Sequence, residues 1–194
     1  MRLLLLARHG RSIFNVEGVV NGDPALDRGL SEDGRAAATA LGVQLQGVRI
    51  DLCVTSRFLR AQETARLALG PDRAAMTRVV DDDLDDVKIG ELEGTTLAEY
   101  RAWKHAHRRS DRFPGGESLD EAARRYAKAF AWLADCRENT ILCVCHEIPV
   151  RYAVNAAAGS PDLDAPFHDV RNATPYLFDE QTLRRAAENL ARAV

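Results

Sequence analysis

Two short apolar segments, each ending in a histidine, limit the possible folds of this chain more than any other feature. Residues 3–7 are all aliphatic and run directly into Arg8 and His9, and the strongly apolar residues 140–145 run into His146. Continuous apolar runs of this length are typical of strands that are covered on both faces. The chain is therefore expected to place two buried strands in a sheet with helices packed against it.

Strand and helix patterns alternate along the rest of the chain. Further strands are predicted at residues 50–55, 76–80 and 175–178, and helices at residues 57–69, 97–107 and 150–158. Ser31 is expected to cap another helix, and Ser118 and Glu121 form a capping box that opens a further one. Residues 183–194 suit either a helix or a strand that pairs with residues 176–178. The alternation predicts an α/β fold with three α/β/α layers and a mostly parallel sheet.

Composition excludes several classes of protein. The net charge of −3 argues against general nucleic-acid binding, which usually needs a basic surface. The apolar run at the start is far shorter than the roughly 20 residues of a membrane-spanning helix and lacks the features of a signal peptide. No two of the four cysteines have C-x-x-C spacing, which favours core packing in a reduced, cytoplasmic protein. Without repeats or linkers, residues 1–194 are expected to form a single domain.

The two histidines are expected to lie at the edge of the sheet where ligands bind. In open parallel sheets this edge is formed by the carboxyl ends of the strands, where His9 and His146 follow their strands. Arg8 adjoins His9, while Arg57 and Arg60 open the helix after the strand at residues 50–55. One guanidinium group can bind two oxygens of a phosphate at once, and backbone N–H groups at a helix start add further donors. A phosphate site is the hypothesis; buried core histidines and solvated arginines are the alternative.

These residues belong to a longer pattern. Arg8-His9-Gly10, followed by Ser12 and Asn15, resembles the R-H-G-x-S-x-x-N signature of the histidine phosphatase superfamily, the phosphoglycerate mutase-like enzymes. Other landmarks of that family follow in order: a loop and helix start at residues 26–34, a second-arginine helix at 56–65, an acid/base loop at 84–94, a turn at 113–118, and His146 with Arg151. The resemblance covers residues 3–178 and implies a phosphoglycerate mutase-like fold.

The resemblance also implies roles for individual residues. His9 would be the nucleophile that takes the phosphoryl group, and Asp86 would be the proton donor, with Asp85 as the competing assignment. The phosphate would be bound by Arg8, Asn15, Arg60 and His146. One departure stands out, because His146-Glu147-Ile148-Pro149 replaces a common H-G-G-type run. Since Pro149 has no N–H, backbone donors there must come from Glu147 or Ile148.

The implied activity is hydrolysis of small phosphomonoesters through a phosphohistidine, with no metal or other cofactor. The expected partner is a small phosphorylated metabolite. Binding to nucleic acid or to a membrane is not expected, and a homodimer would be the commonest assembly. Residues 94–115 are short for the lid of a mutase, which favours a phosphatase over a cofactor-dependent phosphoglycerate mutase or an idle phosphate-binding module.

The basic helix around Trp103 is interpreted as a solvated face, with a substrate-covering lid as the alternative. The spacing of His105 and His107 argues against a metal site.

Overall fold

A five-stranded sheet in the order β3-β2-β4-β1-β5 organises the computed structural model, which describes residues 1–73 and 78–194. The strands are β1 (Leu3–Arg8), β2 (Leu52–Thr55), β3 (Arg78–Val80), β4 (Thr140–Cys145) and β5 (Pro175–Phe178). The first four run parallel and only β5 is antiparallel, so the predicted mostly parallel sheet is confirmed. Of the strand predicted at residues 76–80, the first two residues lie outside the described residues.

Helices cover both faces of this sheet. They are α1 (Ile13–Glu17), α2 (Glu32–Gln44), α3 (Leu59–Leu69), α4 (Leu97–Ala106), α5 (Leu119–Asp135), α6 (Glu147–Ala157) and α7 (Glu180–Arg192). Leu4 and Leu6 face the core formed with α5, α6 and α7, whereas Leu5 faces the core formed with α2 and α3. Successive residues of a strand point to opposite faces, so a sheet covered on both sides needs an unbroken apolar run. The predicted three-layer α/β fold is confirmed.

The chain after β5 is a helix, so the alternative of a returning strand is wrong. Asp179 accepts the backbone N–H of Thr182 and caps α7, and Leu183, Ala186 and Leu190 are buried at helical spacing. Their burial against α5 and α6 gives the helix an apolar stripe that a strand could not present. None of the described helices is long and apolar enough to span a membrane.

The helix predicted at residues 150–158 begins three residues earlier, at Glu147. His146 is its N-cap residue, and Pro149 lies in the first turn, where a missing N–H breaks no helical hydrogen bond. The start of α6 therefore follows directly on the end of β4.

Cys143 and Cys145 in β4 are fully buried, which agrees with a core-packing role.

Candidate active site

The carboxyl ends of β1 and β4 bring the two sequence-predicted histidines together. These strands are parallel neighbours, with Arg8 opposite Cys145. His9 and His146 therefore leave the sheet side by side, with ring centroids 5.3 Å apart. A cavity of about 260 Å³ opens at this edge, and its wall includes Arg8, His9, Asn15, Arg60 and Asp86, five of the six predicted site residues. The sixth, His146, lies fully buried behind them.

Hydrogen bonds from three segments of the chain hold the backbone of the loop that carries His9. The His9 N–H donates to the Cys145 carbonyl at 2.9 Å, and the Asn172 amide donates to the His9 carbonyl at 2.8 Å. The Gly10 N–H donates to the Thr64 hydroxyl of α3 at 2.9 Å. A Cβ atom at Gly10 would lie 2.5 Å from the Gly34 carbonyl oxygen. The glycine of the R-H-G motif is therefore required by the close approach of α2.

The hydrogen bonds of His9 define which ring nitrogen can act as a nucleophile. Nδ1 lies 2.6 Å from the Gly10 carbonyl, and because a carbonyl only accepts, Nδ1 carries the proton. Nε2 is then left with its lone pair, which accepts the Nε–H of Arg60 at 3.1 Å. Burial, together with the charges of Arg60 and Arg8, holds the pKa of His9 well below its usual value. The ring is therefore neutral near pH 7, as a nucleophile requires.

Arg60, in the first turn of α3, is the centre of the site. Besides His9, its guanidinium contacts the Asp86 carboxylate at 3.2 Å and His146 Nδ1 at 3.3 Å. It also donates to the Asn21 side-chain oxygen at 2.6 Å, and the Phe58 ring lies 4.1 Å from its Cζ atom. The side chain is almost fully buried. One guanidinium group thus contacts both histidines and Asp86, and its charge is also paired with the buried Asp27 carboxylate at 3.5 Å.

His146 is held from both sides. Its Nε2 lies 2.8 Å from the Ser56 hydroxyl at the end of β2, and the Phe58 ring packs edge-on at a centroid distance of 4.6 Å. Its Nδ1 faces Arg60 and lies 3.4 Å from Asp86. Burial is the main cause that lowers the pKa of His146 well below its usual value, and the charge of Arg60 adds to it. His146 is therefore a neutral polar group at the base of the cavity.

Two adjacent aspartates differ sharply in their surroundings. The Asp85 carboxylate is 1% exposed and accepts the backbone N–H of Arg57 at 2.9 Å and its Nε–H at 2.7 Å. Asp86 lines the cavity, and its side chain is 24% exposed. Burial raises the pKa of Asp86; Arg60 opposes this shift, and the charge of Glu147 adds to it. The geometry favours Asp86 over Asp85 as the proton donor and makes Arg57 the structural partner of Asp85.

The remaining predicted phosphate ligands have partners within the wall. Asn15 is the third residue of α1, where its side-chain oxygen accepts the Ser12 N–H at 3.1 Å as half of a capping box. Arg8 Nη1 donates to the Val170 carbonyl at 2.9 Å and lies 3.0 Å from the Glu147 carboxylate. Both side chains nevertheless line the cavity, where Asn15 is exposed and Arg8 is partly exposed.

Sequence reasoning missed several residues of the wall. Asn21 is buried, accepts from Arg60 and donates to Glu93 at 2.6 Å, and no motif singled it out. The interpretation of the basic segment around Trp103 as a solvated face agrees with the exposure of His105, His107 and Arg108. It missed the other face of α4, where Leu97, Tyr100, Arg101 and Lys104 line the cavity. Their spacing of three and four residues places them on one helix face, a signal that could have identified them.

Known proteins resemble this chain in sequence and in overall fold. The 2,3-bisphosphoglycerate-dependent phosphoglycerate mutase 2 of Gloeobacter violaceus is 36% identical over 140 residues, covering 67% of this chain and 62% of the mutase, so the match spans less than two thirds of that relative. The alpha-ribazole phosphatase of Shigella flexneri superposes with a TM-score of 0.79 at 25% identity, covering 91% of this chain and 90% of the other. A mycobacterial glucosyl-3-phosphoglycerate phosphatase solved with VO3 gives a TM-score of 0.68 at 30% identity, covering 84% and 85%.

A sequence model of the family extends over most of the chain. The model of the histidine phosphatase superfamily (branch 1) matches residues 4–189, from the first strand to the last helix. That range covers most of the chain and includes both histidines, Arg60 and Asp86, which lie together at one edge of the sheet. The chain therefore belongs to the histidine phosphatase superfamily.

Proposed function

We propose that this chain is a phosphatase that hydrolyses small phosphomonoesters through a phosphohistidine on His9. The observation that carries the proposal is the lone pair of a neutral His9 Nε2, 3.1 Å from a buried arginine and in the same cavity as a carboxyl group whose pKa is raised. The cavity of about 260 Å³ lies near the lower end of the range of ligand sites, which suits a small metabolite. Cytoplasmic turnover of such metabolites is part of the proposal.

In the first step, the Nε2 lone pair of His9 attacks phosphorus in line with the ester bond. In the structure described above, the Arg60 Nε–H donates to that lone pair. When the ester binds, the Arg60 guanidinium therefore has to turn to the phosphate oxygens. Arg8 and Arg60 would neutralise the charge on these oxygens, as positioned cations do in phosphoryl transfer. As the P–O bond breaks, the carboxyl proton of Asp86 passes to the leaving alcohol oxygen, and the phosphoryl group stays on Nε2.

In the second step, the Asp86 carboxylate takes a proton from water. The water oxygen forms a bond to phosphorus while the N–P bond breaks, which releases inorganic phosphate and restores the lone pair of His9. Both acidic side chains in the wall face guanidinium groups, with Asp86 3.2 Å from Arg60 and Glu147 3.0 Å from Arg8. This pairing supports a mechanism in which arginines rather than a metal ion stabilise the charge.

The proposal is tested by trapping the intermediate. His9→Ala should lose turnover of phosphomonoesters by at least about a thousandfold, because nucleophile and phosphoryl acceptor are removed together. Wild type quenched during turnover of a ³²P-labelled ester should carry an acid-labile, alkali-stable phosphoryl group on His9. Urea unfolding of the variant controls for folding. Full activity of the variant, or a label on another residue, would contradict the mechanism.

A phosphoglycerate mutase is the second candidate, favoured by the names of the sequence relatives. A mutase must keep water from its phosphohistidine until a second hydroxyl takes the phosphoryl group. Here the chain between Asp86 and α5 lines the cavity only with Val87, Ile89 and one face of α4, which leaves little cover. We expect phosphate release from monoesters to exceed interconversion of 2- and 3-phosphoglycerate, even after priming with 2,3-bisphosphoglycerate. Primed mutase turnover above the best phosphatase turnover would reverse the assignment.

A further inference from the structure

Glu147 places a negative charge in the wall of the phosphate-binding cavity. It is the first residue of α6, directly after His146, and its side chain is 37% exposed. One carboxylate oxygen lies 3.0 Å from Arg8 Nη1, and the other lies 3.4 Å from Arg151 Nη1. A carboxylate in this position competes with the phosphate for the charge of Arg8, so it weakens phosphate binding. We therefore expect it to have another role in the site.

The carboxylate is available to a substrate. Each of its oxygens has more than one lone pair, so the two arginines leave acceptor capacity on the side that faces the cavity. Glu147 adjoins Arg8, an expected phosphate ligand, and its charge acts on Asp86, the expected donor to the ester oxygen. We therefore expect Glu147 to border the part of the cavity next to the ester oxygen. A hydroxyl group on the alcohol part of the substrate could donate to Glu147, whereas a carboxylate there would meet a like charge.

We propose that Glu147 is a specificity-determining residue that selects phosphomonoesters of uncharged, hydroxyl-bearing alcohols over those with a carboxylate near the ester. The inference rests on the proposed function, because it concerns the same cavity. Arg151, which also contacts Glu147, and Arg101 and Lys104 on the α4 wall are the charges that would favour the opposite choice. The charges of Lys104 and Arg151, however, are already paired with Asp164, at 3.9 and 3.1 Å.

A matched pair of ligands isolates the charge. Glycerol 3-phosphate and 3-phosphoglycerate differ chiefly in a terminal CH₂OH or carboxylate group. Their inhibition constants would be measured against hydrolysis of p-nitrophenyl phosphate for wild type, Glu147→Gln and Glu147→Asp. Glu188→Gln is the control, since it makes the same change on the exposed face of α7. Wild type should bind glycerol 3-phosphate more tightly than 3-phosphoglycerate, and Glu147→Gln should reduce that preference by about tenfold, because the carboxylate no longer meets a like charge.

The outcomes separate this inference from the proposed function. Glu147→Asp keeps the charge and should keep the preference, as should Glu188→Gln. An unchanged ratio in Glu147→Gln, or a wild-type preference for 3-phosphoglycerate, would overturn the role of Glu147 while leaving a phosphatase. Failure of wild type to hydrolyse any phosphomonoester would instead refute the proposed function, and dissociation constants of the same two ligands from titration calorimetry would then decide the role of Glu147.

Discussion

His9 and Asp86 need opposite protonation states, and the protein shifts their pKa values in opposite directions. His9 must be neutral, which holds above its pKa, and Asp86 must be protonated, which holds below its pKa. With ordinary values of about 6.5 and about 4, hardly any molecules would meet both conditions. Burial lowers the pKa of His9 and raises that of Asp86, because it disfavours the charged form of each. The two shifts together widen the pH range in which both groups are ready.

The raised pKa of Asp86 predicts how activity responds to pH. With an alkyl phosphate, kcat/KM should fall as pH rises through the pKa of Asp86, above the ordinary value of a carboxyl group, because the proton donor is lost. With p-nitrophenyl phosphate the fall should be much weaker, since nitrophenolate leaves without a proton. Asp86→Asn should slow the alkyl ester by about 100-fold or more and remove the difference between the two profiles.

Ionisation of the substrate phosphate, with a pKa near 6 for an alkyl ester, affects wild type and variant alike, so comparison of the two proteins on the same ester cancels it. Identical losses on the two esters in Asp86→Asn would exclude Asp86 as the acid. Asp85→Asn would not replace that test, because loss of the Asp85 carboxylate breaks its contacts with Arg57 and disturbs the loop itself.

At the scale of elements, α3 supports two parts of the site at once. Its first turn carries Arg60, and one turn later the Thr64 hydroxyl accepts the Gly10 N–H and donates to the Arg60 carbonyl at 2.7 Å. Asp27 accepts the Arg60 backbone N–H at 2.8 Å, so the start of the helix is also held from the loop before α2. The nucleophile loop and the central arginine are therefore fixed relative to each other through one helix.

Thr64→Val should destabilise the protein and reduce its activity. The substitution preserves the shape of the side chain but leaves the buried Gly10 N–H without a partner, at a loss of about 1–3 kcal/mol in the free energy of unfolding. Urea unfolding measures the first effect and kcat/KM the second. Thr39→Val is the control, because Thr39 makes a similar hydroxyl contact to the Arg35 carbonyl on the exposed side of α2. Equal effects of the two changes would argue against this support.

At the scale of the whole molecule, Asp164 connects the outer wall of the cavity to the body of the fold. Its carboxylate contacts Arg109 of the segment after α4, Arg151 of α6 at 3.1 Å and Lys104 of α4 at 3.9 Å. The helix α4 is thus held both by this cluster of charges and by the Tyr100 and Trp103 rings, which stack on the buried ring of Phe113 at centroid distances of 5.6 and 4.2 Å.

Asp164→Ala should leave three neighbouring cations without their shared partner. The carboxylate is partly exposed, so we expect a loss of about 1–3 kcal/mol rather than the larger values of fully buried pairs. Loosening of α4 should raise KM for the ester more than it lowers kcat, because the reacting groups lie on other elements. Asp169→Ala, a change of an exposed aspartate in the same loop, controls for the charge. A change in kcat alone would contradict this role of α4.

Local sequence patterns were sufficient to predict the layers of the fold and the histidines at the sheet edge. An apolar run specifies a strand buried on both faces, and parallel neighbours end at the same edge, so His9 and His146 could be placed near each other before any contact was known. The placement of Arg60 followed in the same way from its position at a helix start. The catalytic roles of these residues stay predictions, which the experiments above test.

Contacts between distant segments could not be inferred from such patterns. Asn21 meets Arg60 across 39 positions, and nothing in the irregular loop around it indicates that contact. Asp85 and Asp86 are equivalent in sequence, and they differ only because Arg57 binds the first while the second turns to Arg60 and the cavity. The face that α4 turns toward the site likewise depends on distant partners, because Lys104 meets Asp164 and the Trp103 ring stacks on Phe113. Periodicity reports which surface a segment buries, but the partner of a polar side chain is set by long-range packing.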